Sequence, residues 1–209
     1  MSRLKSPFAR SSIDSAMGFT IGELLLGSLL LAVSALWAWG RAIPLKSALA
    51  LTPWGVALGV VVSLPALVGL FLLVGETGRA LPGGAGLQDS FGTIRDILGP
   101  VAWWQIIVIS AMAGLSEEVL FRGVVQYEVG IVAAAVLFGL CHPLGVGYVL
   151  YASVLGLYLG LAARLTGGLV APVVAHALYD AVGLWYLTRR WQPPRGGSEP
   201  PSAEGRPEN

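Results

Sequence analysis

The chain has 209 residues, of which 55% are apolar and only 12% charged, with a mean hydropathy of +0.73. Soluble domains carry about a quarter charged residues, so an ordinary soluble fold is excluded and one membrane domain is expected. A formal net charge of +1 without a basic block excludes nucleic acid as the main partner. The single cysteine, Cys141, excludes an intrachain disulfide and a cysteine-rich metal centre.

What remains is an all-α, polytopic transmembrane bundle in the cell (inner or plasma) membrane, with the lipid bilayer as its first partner. Residues 1–20 carry Arg3, Lys5 and Arg10 and read as a cytoplasmic lead-in. The apolar run 21–40 is long enough to span. Val33-Ser34-Ala35 resembles a signal-peptide cleavage site, but the apolar stretch continues to Trp39, which favours a span. A second span covers 49–74, with Pro65 inside it; membrane bundles tolerate such a proline when neighbours satisfy the freed carbonyl. Residues 75–100 are the long polar interruption. Within them Leu87, Phe91, Ile94 and Leu98 recur at helical spacing opposite Asp89, Arg95 and Asp96, as in an amphipathic helix lying in the interface or a segment packed on the bundle. Four further apolar segments follow at 101–127, 131–142, 146–163 and 168–187, giving about six spans with a four-helix catalytic core over 101–188. The segment 131–142 is too short to cross alone and is expected to be extended at one end. The tail 189–209, rich in Pro, Gly, Ser and Glu beyond Gln192, is expected to be disordered. Lys and Arg placement favours both termini inside, with Arg3, Lys5, Arg10 and Arg189 opposed by Arg41, Lys46 and Arg164.

The chain turns on residues 114–123, Gly-Leu-Ser-Glu-Glu-Val-Leu-Phe-Arg-Gly. Insertion of an ionised side chain at bilayer depth costs roughly 3 kcal/mol, so Glu117, Glu118 and Arg122 need a purpose there. On a helix, Glu118 and Arg122 share a face in the favourable acid-first order, while Glu117 points about 100° away. Glu118–Arg122 therefore reads as internal neutralisation and Glu117 as the working carboxylate. The two histidines of the chain, His142 and His176, also lie in apolar segments. If the chain turns at Gly130, Glu117 lies 13 residues before the turn and His142 12 after it. Both are then roughly 18–20 Å from one membrane face at the helical rise. A second turn near Gly167 brings His176 and Asp180, four apart on one helix face, to a similar depth. A carboxylate and an imidazole sharing a water can deliver hydroxide to a carbonyl, and a second imidazole with a polar neighbour can stabilise the oxyanion. Intramembrane peptide hydrolysis fits these parts. A structural clasp, a non-catalytic immunity-type membrane protein and a proton-coupled transporter are the competing readings; a transporter more typically shows repeat symmetry, and no internal repeat is found.

Glu117-Glu118-x-x-x-Arg122, Phe138-x-x-x-His142 and His176-x-x-x-Asp180 resemble, in order, the three motifs of the CPBP family. These are the CAAX-protease and bacteriocin-processing (Abi) intramembrane proteases, and the resemblance covers residues 101–187. It implies catalytic residues Glu117 and His142 at the water, His176 and residue 180 at the oxyanion, and Glu118 with Arg122 in support. The implied substrate is a membrane-anchored protein or peptide cut near its terminus, prenylated by family analogy. The family usually has Asn where this chain has Asp180, and an ionised Asp cannot donate to an oxyanion. No cofactor is favoured, with a metal-independent glutamate mechanism expected. Zinc is the alternative, because Glu117, His142, His176 and Asp180 are all acceptable ligands.

Overall fold

The computed structural model describes residues 7–192, with side chains from Ser15 onward, and among these residues every regular element is helical. In chain order these are α1 (Pro7–Arg41), α2 (Leu45–Ala48), α3 (Pro53–Val74), α4 (Glu76–Arg79), α5 (Gly84–Leu98) and α6 (Trp103–Leu120). A π-helical segment (Phe121–Val125) leads into α7 (Gln126–Val129), α8 (Ile131–Leu140), α9 (Val146–Thr166) and α10 (Val170–Arg189). Five stretches are long and apolar enough to cross a membrane: Ser15–Arg41, Pro53–Val74, Trp103–Val129, Val146–Thr166 and Val170–Arg189. The protein is thus a polytopic helical membrane protein.

Several boundaries differ from those read in the sequence. The first helix does not wait for residue 21, and its candidate span begins at Ser15. Small polar residues allow this: Thr20 returns its hydroxyl to Ala16 O at 2.8 Å and receives Gln105 Nε2 at 3.1 Å, so its polarity is satisfied inside the bundle. The fourth expected span, 131–142, is not extended, because α8 stops at Leu140, ten residues long, ahead of Pro143. At the other end, residues 189–191 are not part of a loose tail. Arg189 donates to Val101 O at 2.7 Å, and Trp191, 7% exposed, donates from its indole to Val74 O at 3.0 Å. That tryptophan serves the core rather than an interfacial belt. The tail expected from 193 onward lies outside the described residues.

Small residues set the helix crossings, as expected where dispersion rather than water drives association. A Cβ on Gly114 would come within 2.8 Å of Ala177 N, so α6 and α10 approach backbone to backbone. A Cβ on Gly139 would come within 2.5 Å of Val149 O, which locks α8 against α9 as an antiparallel hairpin. In α3, Thr52 caps Gly55 N at 3.0 Å ahead of Pro53. Tyr158 of α9 donates to Val62 O at 2.7 Å, beside the Val61 carbonyl that Pro65 cannot serve.

The expected amphipathic segment is α5. Its apolar face is packed on the bundle, with Leu87 and Phe91 in one core cluster with Leu70, Val74, Tyr179 and Leu187, and Leu98 in another with Ile106 and Ile109. Ser90 of α5 donates to Leu144 O at 2.9 Å, seating the helix against the tip of the α8–α9 hairpin.

Candidate active site

Three polypeptide segments supply the polar groups that the motifs contain. On α6, Glu117 and Glu118 diverge as adjacent helical residues must. The Glu118 side chain is fully buried. Its Oε1 accepts from Arg122 Nη1 at 2.8 Å and from His176 Nδ1 at 2.7 Å. The expected Glu118–Arg122 pair is therefore present, but as part of a larger junction. Arg122 sits in the π-helical segment, where the wider turn aims its guanidinium across the bundle. It donates from Nη2 to Gly156 O at 3.0 Å and lies 4.4 Å above the Phe138 ring. Gln126 repeats the same reach one turn later, donating to Gly160 O at 3.2 Å.

Glu117 points the other way. Its Oε2 lies 3.8 Å from His142 Nε2 and has no hydrogen-bond partner among the described residues. His142 is not within a helix but two residues beyond the end of α8. Its Nδ1–H donates to Phe138 O at 2.8 Å, which fixes the tautomer and leaves Nε2 with its lone pair toward Glu117. Phe138 also stacks at 4.7 Å from the His142 ring and meets Phe121 edge-on at 5.1 Å, so one aromatic ring steadies both the imidazole and the Arg122 guanidinium. On α10, His176 Nε2 faces Asp180 Oδ2 at 3.4 Å, the i,i+4 contact expected from spacing. Both ring nitrogens of His176 therefore face a carboxylate, Glu118 on one side and Asp180 on the other.

Glu117, His142, His176 and Asp180 all line one cavity of about 400 Å³, so the depth coincidence is realised in space. It resolves into two contacts, Glu117–His142 and the chain Arg122–Glu118–His176–Asp180, with Glu118 and Arg122 behind the wall. Reading the sequence missed further members of this cavity. Glu23 of α1 lines it, as do Tyr148 and Tyr151 of α9 and Tyr179 of α10. The hydroxyls of Tyr151 and Tyr179 hydrogen-bond to each other. The signal for Glu23 was available as a lone acid within an apolar run.

A catalytic zinc needs three protein ligands with an open fourth position. Among the described residues no group of three or more His, Cys, Asp or Glu side chains is arranged to hold a metal ion.

Comparison with known proteins bears on the same stretch. The chain is 32% identical over 99 residues to the uncharacterized protein YpbD of Bacillus subtilis (strain 168), an overlap covering 46% of this chain and 52% of that protein. The chain therefore spans about half the length of the curated relative it matches. No solved structure matches. Residues 99–182 match the family profile described as type II CAAX prenyl endopeptidase Rce1-like. They contain α6, the π-helical segment, α8, α9 and the part of α10 that carries both His176 and Asp180. Over this segment the chain is thus similar to the Rce1-like family of type II CAAX prenyl endopeptidases.

Proposed function

We propose that the protein is an intramembrane endopeptidase that hydrolyses a membrane-anchored protein or peptide near its terminus with a water activated by Glu117 and His142. The observation that carries this is the facing pair itself. A carboxylate oxygen without a partner and an imidazole lone pair stand 3.8 Å apart on the wall of a shared cavity. That separation exceeds a direct hydrogen bond, and one water oxygen set to the side of the line joining the two groups reaches both at hydrogen-bond distance.

In this reading Glu117 takes a proton from the water as its oxygen bonds to the scissile carbonyl carbon. The carbonyl π electrons move to oxygen, and the oxyanion is met across the cavity by His176 and by Asp180 in its protonated, donating form. Collapse of the tetrahedral intermediate breaks the C–N bond, and the proton held by Glu117 passes to the departing amine. Glu118 and Arg122 touch no reacting atom in this scheme. They position His176, because the Glu118 carboxylate holds Nδ1 and Arg122 holds the carboxylate. No step of this scheme is assigned to a metal. A prenylated substrate and a location in the cell membrane belong to the same proposal, supported by the family of residues 99–182.

The test uses the purified chain in lipid nanodiscs, offered membrane-anchored peptides with and without a prenyl group, with new termini read by mass spectrometry. Wild-type protein should generate them, while Glu117→Ala and His142→Ala should not, although both remain folded with melting temperatures close to wild type. Undiminished cleavage by Glu117→Ala would defeat the mechanism. Equal melting losses in these variants and in Glu118→Ala and Arg122→Ala would instead make the cluster a structural clasp.

A further inference from the structure

Glu23 is the acid on the cavity wall that the chemistry above does not use. It projects from α1, outside residues 99–182, into the cavity that holds Glu117, His142, His176 and Asp180. It is half-buried, and among the described residues it makes no hydrogen bond or ion pair. The charges that act on it are Glu117 and Asp180, which repel it, and His176, which attracts it. Two other acids each have an arginine: Glu118 has Arg122 and Glu128 has Arg41. The cavity wall, by contrast, carries Glu23, Glu117 and Asp180 and neither Lys nor Arg. An unmatched carboxylate at this depth costs free energy unless something compensates it. Around Glu23 the wall is apolar, with Phe19 and Leu26 from α1 and Ile97 from α5. That is the surface along which the methylene stem of a long basic side chain packs while its charged head reaches a carboxylate.

We propose that Glu23 is a specificity residue that receives a Lys or Arg side chain of the substrate next to the bond to be cut. The proposal rests on the peptidase reading and adds the class of substrate. The missing counter-charge arrives with the substrate, and a peptide with an acidic residue at that position is repelled by Glu23 and Glu117 rather than merely unrecognised. Selectivity is thereby placed on a helix separate from the one that carries the catalytic glutamate.

The experiment uses the full chain in nanodiscs of neutral phosphatidylcholine and anchored peptides identical except for Lys, Arg, Ala or Glu at each position flanking the mapped cleavage bond. The readout is the ratio of kcat/KM for the Lys or Arg peptide to that for the Glu peptide. Wild-type protein should favour the basic peptide by about tenfold or more, the scale of one charge-assisted contact. Glu23→Gln should collapse this ratio toward unity and Glu23→Lys should invert it. A wild-type enzyme that cleaves all the peptides alike overturns the proposal without reference to any variant's folding, and so does a basic preference that survives both substitutions. Cleavage absent from wild type and Glu117→Ala alike overturns the peptidase reading itself, a result distinct from either.

Discussion

Removing Arg122 tests the junction behind the cavity most directly. Its side chain is 2% exposed and its partner Glu118 is fully buried, so Arg122→Met leaves the Glu118 carboxylate with His176 as its remaining hydrogen-bond donor. Two charge-assisted hydrogen bonds, to Glu118 and Gly156 O, and the contact with the Phe138 ring are lost together. Such terms do not add, and the dominant one is the stranded buried charge, for which about 3–5 kcal/mol is typical. At roughly 2–4 °C per kcal/mol for a chain of this size, the melting temperature should fall by about 6–20 °C. The double variant Glu118→Leu/Arg122→Met removes both charges and should recover much of that loss, while still lowering peptide turnover because His176 loses its Nδ1 partner. Melting in detergent by circular dichroism, with turnover measured in parallel, checks both parts. If the single variant melts with wild type, or the double variant melts no higher than the single, the junction is not a buried charge pair holding His176.

Three other outcomes are expected. Asp180→Asn should retain turnover within about tenfold, because an amide can donate where His176 Nε2 faces residue 180, whereas Asp180→Leu should lose about a hundredfold or more, the usual scale for an oxyanion donor; equal losses would remove residue 180 from the oxyanion. Turnover of the purified protein should be unaffected by prolonged chelation, and activity lost to chelator and restored by zinc would overturn the glutamate mechanism. In a Cys141→Ser background, cysteines at Val129 and Leu165, both exposed, should react with an impermeant thiol reagent from the same side of the membrane, and a cysteine at exposed Trp103 from the opposite side. Gly130 and Gly167 mark the turns themselves but have φ of +82° and +68°, so a side chain there would strain the backbone being probed.

Local chemistry was the legible part. The Glu118–Arg122 and His176–Asp180 contacts follow from a four-residue helical interval, and the matching depths of Glu117 and His142 follow from counting residues out from Gly130. The His176–Glu118 bond joins residues 58 apart, and no local spacing announces it. It reassigns Glu118 from neutralising Arg122 alone to holding an imidazole as well. Glu23 escaped notice because an acid near the start of an apolar run reads as a flank, whereas α1 runs unbroken from Pro7 to Arg41 and places Glu23 well inside the helix. Trp191 lies near the end of a span, where a tryptophan is usually an interfacial anchor. Its burial depends on the α3–α10 contact, which only the fold reveals.

The proposed hydrolysis raises the question of how its second reactant, water, would arrive, and the truncated α8 bears on it. A helix that ends at Leu140 leaves the peptide groups of 141–145 in a non-repeating path at the depth of the reacting groups. Lipid cannot solvate such groups, so a stretch of this kind persists only where protein or water covers it. Local bonds meet part of the demand, with His142 N donating to Gly139 O, Leu144 N to His142 O and Ser90 to Leu144 O. Cys141, exposed, and His142 border the same cavity as Glu117. A break in helical continuity thus gives the bilayer interior a locally wettable spot, and hydration of the cleft becomes a property of the backbone as much as of its acids.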